Sequence, residues 1–215
     1  MPRIATIPKN DHEPACNIEE DEDLRVHFTA DADIDADGAN GQNGKPAAYM
    51  LGDKGSDYLE NGGMYEKNGK VYCYDADNSI AILDKQGYPK LYPGGIVGCK
   101  TAYRYPGKAS DDLAAYVDSA TVPYIVVPAV VISKTKGVVL GCKARVTLNG
   151  KSVDCVVADV SSNSKIGELS IAAAEALGIP SSPRNGGRHK ADVLYELWPG
   201  IAAPGFTLIP SPKHH

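Results

Sequence analysis

Residues 153–179 read VDCVVADVSSNSKIGELSIAAAEALGI, an apolar strand, a polar turn and a helix of small residues. Two carboxylates, Asp159 and Glu168, stand at the two ends of the short loop between them. The strand is the second arm of a hairpin over 137–157, in which Asn149-Gly150 is a two-residue turn of the primed type. That register sets Arg145 opposite Asp154 and Ala144 opposite Cys155. Cys142, Ala144, Val146 and Leu148 then share a core face with Val153, Cys155 and Val157. By the same parity Asp159 points inward, where a carboxylate needs a reason. The helix is expected to start near Lys165 or Gly167 and to end at Leu177, with Gly178 as its cap and Glu168 in its first turn.

Upstream of this stretch, SDDLAAYVDS (110–119) reads as a short helix capped by Ser110, and VPYIVVPAVVI (122–132) as a buried strand made irregular by Pro123 and Pro128. Between 47 and 105 the chain is rich in Tyr and Gly, with short strands expected at KVYCY (70–74) and IAIL (80–83). Downstream, strands are expected around VLYELW (193–198) and at 206–209. Residues 1–24 are polar, with the acidic run EEDED, and are read as an extended or mobile arm. Residues 25–210 form a single domain, and 211–215 are a tail ending in two histidines.

The 215 residues are 43% apolar and 23% charged, ordinary for a globular protein with a sizeable core. No apolar run is long enough to cross a membrane, and the first 17 residues hold no apolar segment of a signal peptide. Residues 1–60 carry 14 Asp/Glu against 5 Lys/Arg, and no basic stripe follows, so neither nucleic acid nor a membrane is expected as partner. An acidic surface suits a cationic ligand or a metal. The five cysteines form no CxxC and no zinc spacing; one or two disulfides are possible, although Cys142 and Cys155 sit diagonally in the hairpin.

HFTADADIDADG (27–38) places Asp33, Asp35 and Asp37 before Gly38, a spacing that resembles the start of an EF-hand calcium loop. Position 12 of such a loop is Gly44 here, where a bidentate Glu belongs. No cofactor is expected on this basis. The alternatives are calcium held by Asp33, Asp35 and Asp37 in another geometry, a solvated acidic turn, or one wall of a substrate cleft.

Two carboxylates at the edge of a β-rich core can cleave a glycosidic bond, one protonating the leaving oxygen and the other activating water. The segment VVADVSSNSKIGELSIAAAEALGI resembles the catalytic segment of the glycoside hydrolase family 75 chitosanases. HFTADADIDADG, TVPYIVVPAVV, PSSPRNGG and DVLYELWPG resemble further segments of that family in the same order, over residues 26–200. Ala158 departs from the family's Gly before the catalytic Asp. The resemblance implies a mainly β fold with a few helices, built on a six-stranded double-psi-like β-barrel with decorating loops. It implies an exported or extracellular, endo-acting, inverting chitosanase with Asp159 and Glu168 as the catalytic pair. Asp33, Asp35, Asp37, Ser170 and Tyr195 would bind substrate, and the protein would act as a monomer. Glu168 is assigned as acid and Asp159 as base, against one objection: a helix N-terminus lowers a carboxyl pKa, whereas an acid catalyst needs it raised. Two other readings stand beside the chitosanase. One is a peptidoglycan glycosidase or lytic transglycosylase, antibacterial or phage-associated; the other is a non-catalytic glycan- or calcium-binding module.

Overall fold

The computed structural model describes residues 2–8, 14–74 and 80–210. Its strands are β1 (Arg3–Ile7), β2 (Cys16–Glu20), β3 (Val26–Asp35), β4 (Met64–Lys67), β5 (Lys70–Cys73), β6 (Leu91–Tyr92), β7 (Ile96–Val97), β8 (Tyr124–Pro128), β9 (Cys142–Leu148), β10 (Lys151–Ser161), β11 (Glu168–Ser170) and β12 (Arg188–Ala202). Two helices, α1 (Ala129–Lys134) and α2 (Ile171–Leu177), complete the set.

Strands β3, β11, β8, β10, β9 and β12 neighbour one another in that order, and β12 pairs back onto β3, closing a six-stranded barrel. The pairs β3/β11 and β8/β10 are parallel, so each needs a crossover instead of a hairpin. This closed, mixed six-stranded barrel, in a mainly β chain with two helices among the described residues, is the barrel-like core expected from the sequence. The β9/β10 hairpin has the register read from Asn149-Gly150, with Arg145 opposite Asp154 and Ala144 opposite Cys155. Both turn residues have positive φ, 51° and 78°, as a primed turn requires.

Alternation along each strand decides what fills the barrel. Val26, Phe28, Ala30 and Ala32 of β3 pack inside with Ile125 and Val127 of β8, Val157 of β10 and Leu169 of β11. Each such side chain contributes roughly 1.5–3 kcal/mol by leaving water, so Phe28→Ala would remove much of one domain's net stability. The intervening residues of β3, His27, Thr29, Asp31, Asp33 and Asp35, belong to the other face. The alternating Ala-Asp-Ala-Asp run is therefore a small-inside, acid-outside strand.

The excursion between β3 and β8 folds back over that outer face. Tyr49, Met64, Val71, Ala81 and Val97 form a second core with Ala36, Ala120 and Ile171, and Ile34 packs against it. Gly38 makes the exit turn from β3 possible. Its φ is +75°, and a Cβ there would lie 1.9 Å from the Val117 carbonyl oxygen. The glycine of the DxDxDG pattern thus serves a backbone crossing.

Several expectations are corrected. The region 1–24, read as an extended or mobile arm, contains β1 and β2, with β1 pairing β2 and β2 pairing β3. The alternation of Cys16 and Ile18 buries one edge of this polar segment in the barrel core. Residues 9–13 of that arm and the tail 211–215 lie outside the described residues. The helix expected over 110–119 shrinks to a 3-10 turn, Leu113–Ala115, capped by Asp112, whose side chain accepts from the Ala114 N–H. Pro128 ends β8 and precedes α1, and 206–209 contributes a single bridge, Leu140 to Ile209. Cys99, Cys142 and Cys155 are free buried thiols.

Candidate active site

The loop before β11 carries the main surprise. Glu168 opens β11 as a strand residue, and α2 starts only at Ile171. Ser170 is the helix cap, its side chain accepting from the Ala173 N–H. The expected placement of Glu168 in a first helical turn is thereby corrected, and the macrodipole objection to its acid role disappears with it. Gly167, with φ +91°, is needed just before, because a Cβ would meet the Asp31 carboxylate at 2.6 Å.

Asp159 is also buried for a reason other than strand parity. Val157 of β10 pairs with Ile125 of β8, but Asp159 pairs with the next residue, Val126. Ala158 is the extra residue of a β-bulge, which turns Asp159 onto the outer face shared by Val126. There its Oδ1 accepts from the Ala102 N–H at 2.9 Å and the Val160 N–H at 2.8 Å.

Val126 pairs with Glu168 from its other side. Asp159, Val126 and Glu168 therefore form a row across three strands, and two strand spacings separate the Cα atoms of the two acids by about 10 Å. Asp33 extends the row beyond Glu168 as its partner on β3.

Over the Glu168–Asp33 end of this row lies a cleft of about 540 Å³. Asp33, Asp35, Asp37, Glu168 and Lys165 line the barrel side, while Tyr49, Asp57 and Asn61 come from the excursion over β3. The loop 182–186 and His189 close the remaining edge. Five carboxylates face this space, and its cations are engaged. Lys165 donates to Glu168 Oε1 at 2.5 Å and lies 3.8 Å from Asp33. Arg184 stacks 4.0 Å from the Tyr58 ring and donates to the Asp53 and Gly55 carbonyls.

Burial governs the protonation of this face. Glu168 is 9% exposed and is pushed up to about 7 by desolvation, against the lowering pull of Lys165. Asp159 and Asp37 are raised well above the carboxylate range, first by burial and then by Asp35. Asp35 is raised by burial too, although the Tyr124 hydroxyl donates to its Oδ2 and the Asp37 N–H to its Oδ1, both at 3.0 Å.

Asp33, Asp35, Asp37 and Glu168 reach the cleft as expected, whereas Asp159 sits behind it, next to Asp35 and Asp37. Ser170 and Tyr195, expected to bind substrate, do not. Ser170 is fully buried, donates to the Val122 carbonyl and accepts from the Tyr124 N–H. Tyr195 stacks on Phe28 inside the barrel at 4.9 Å and donates to the Asp31 carbonyl. Lys165, Tyr124, Asp57 and Arg184 were missed. Lys165 could have been found as the one cation inside the 153–179 segment; Asp57 and Arg184 carry no local signal.

No family model matches the chain, and no curated protein is similar to it.

Proposed function

We propose that the protein is an endo-acting, inverting glycoside hydrolase that cleaves β-1,4 linkages of an amino-sugar polymer of the chitosan type. The observation that carries this reading is the row Asp159–Val126–Glu168, two acids on one face of a barrel wall, Glu168 lining an acidic cleft and Asp159 lying behind it next to Asp35 and Asp37. Inverting glycosidases need their carboxyls roughly 6.5–9.5 Å apart to admit a water, and retaining ones about 5 Å. Strand positions about 10 Å apart at the backbone suit the former.

Glu168 serves as the acid. Its proton is held near neutrality by burial, and Lys165 fixes one carboxyl oxygen. The base side is the Asp159 cluster. Like charges this close do not all ionise together, so the ionised member takes the proton of the attacking water while its neighbours hold theirs. Asp35 and Asp37 reach the cleft, and Asp159 sets the charge beneath them. The remaining acids, Asp33 and Asp57, give the cleft the sign that attracts glucosamine ammonium groups.

The test is incubation of chitosan oligomers and of purified peptidoglycan with wild type, Asp159→Asn and Glu168→Gln, with products read by mass and anomeric NMR. Chitosan cleavage that releases the inverted anomer and is lost in both variants supports the reading. Anhydro-sugars from peptidoglycan would move the assignment to a lytic transglycosylase. Turnover of neither polymer would leave a binding module.

A further inference from the structure

We propose that Asp35, Asp37 and Asp159 bind one hard divalent cation of calcium size. One carboxylate oxygen from each lies within 4.8 Å of the other two. Ligands bonded at roughly 2.3–2.6 Å to a single calcium ion span at most about 5 Å, so one ion can bridge all three.

Proximity alone would describe any acidic patch; Asp37 sets this one apart. Over the whole residue it is 9% exposed, its carboxylate faces the other two at the edge of the cleft, and among the described residues no protein N–H or O–H donates to it. Its main chain is fully engaged: the N–H donates to Asp35 Oδ1, and the carbonyl accepts from the Tyr124 hydroxyl at 3.0 Å. The residue is therefore held firmly while its charged end has no donor. Buried carboxylates are normally satisfied by donors or by a cation.

The side-chain cations that line the cleft are committed elsewhere, Lys165 to Glu168 and Arg184 to Asp53. Asp159 presents the same opportunity on a smaller scale. Both of its backbone donors converge on Oδ1. The available ligand atoms are carboxylate oxygens with no Cys or His among them, which selects calcium-like ions over zinc.

The ligand set differs from the one the DxDxDG spacing suggests. Strand pairing sends Asp33 to Glu168 and Lys165, and the bulge at Ala158 brings Asp159 from another strand in its place. Three carboxylates and one divalent ion leave a single negative charge, so a loaded cluster still faces Glu168 as an anion. The inference does not rest on the glycosidase reading, because binding is measured without substrate.

The experiment is calorimetric titration of calcium chloride into chelator-treated full-length protein, with thermal melts in parallel. Wild type is expected to bind one ion per chain and to melt higher in calcium. Asp37→Asn and Asp159→Asn are expected to lose affinity roughly 100-fold or more, and Asp33→Asn to stay within about threefold of wild type. Asp37→Asn should melt at least as high as wild type without calcium, which shows that its loss is not misfolding. Glu168→Gln, outside the ligand set, should bind calcium as wild type does. No binding by folded wild type at about 10 mM calcium would overturn the proposal, as would binding by Asp37→Asn equal to wild type or an equal loss in Asp33→Asn.

Discussion

Asp154 and Asp159 stand five residues apart on β10, and the strand treats them in opposite ways. Asp154 lies at the hairpin end, its side chain 56% exposed, and takes a 2.7 Å hydrogen bond from Arg145 across the ladder. That bond holds its carboxyl below the ordinary range. Asp159 lies past the bulge, is 8% exposed, and has Asp35 as its first charged influence, which drives it upward after burial has already done so. One carboxylate is paired, wet and replaceable. The other is crowded by like charge in a place where a neutral side chain would be more stable. Destabilised charge retained behind a cleft marks a candidate functional site, which a surface pair such as Arg145–Asp154 does not.

The contrast breaks most readily through activity. Removing the acid by Glu168→Gln is expected to lower turnover of chitosan oligomers by about 10³-fold, whereas Asp154→Asn stays within about twofold, both followed by product mass. A comparable loss in Asp154→Asn would abolish the distinction.

Stability tests it next. Calorimetric melts in chelator at pH 8 should show Asp37→Asn rising by about 3–6 °C, because it removes like charge without losing a donor. Asp154→Asn should move by no more than about 1–2 °C, since its bond is exposed. A fall in the melting temperature of Asp37→Asn would sink the claim that this face is electrostatically strained.

The pH dependence sharpens the comparison, because the two regions have opposite signs. Glu168 is raised from 4.5 to about 7 in the folded chain, so its contribution is fully present below about pH 4.5 and is lost as pH climbs through 7. The wild-type melting temperature should fall across that window, and Glu168→Gln should flatten the fall by about 3 °C. Asp154 is lowered, so its contribution is present above its ordinary value of 3.8 and is lost as pH drops below it. The smallest expected effect belongs to Lys165→Met. With the lowering ammonium gone, the alkaline limb of kcat/KM should move up by about one unit, and an unchanged limb would separate Lys165 from the acid.

What could be read without coordinates was whatever short-range periodicity controls. Asn149-Gly150 set the hairpin register, whereas the Asp-rich run from Asp31 reads as a loop after a short strand and the strand in fact continues to Asp35. The bulge at Ala158 was illegible, since it depends on β8 offering Val126 at that point and nothing local to 153–161 announces it. Asp159 was therefore expected to be buried, but inside the barrel. Gly167-Glu168 imitates a helix start, while the true signal was Ser170, whose hydroxyl caps the Ala173 N–H. Asp57 and Arg184 come from segments whose only link to the site is long-range packing. Tyr195 was drawn toward substrate by its chemistry, although its register opposite Phe28 commits it to the core.

Val126 has a consequence for how such a site could change. With one acid on each flanking strand, their separation is set by the backbone hydrogen-bonding of β10, β8 and β11, as rungs set the width of a ladder. The covering excursion and the 182–186 loop lie outside that ladder, so under the proposed hydrolase reading they could be reshaped for a different polymer while the spacing of the two acids stays constant.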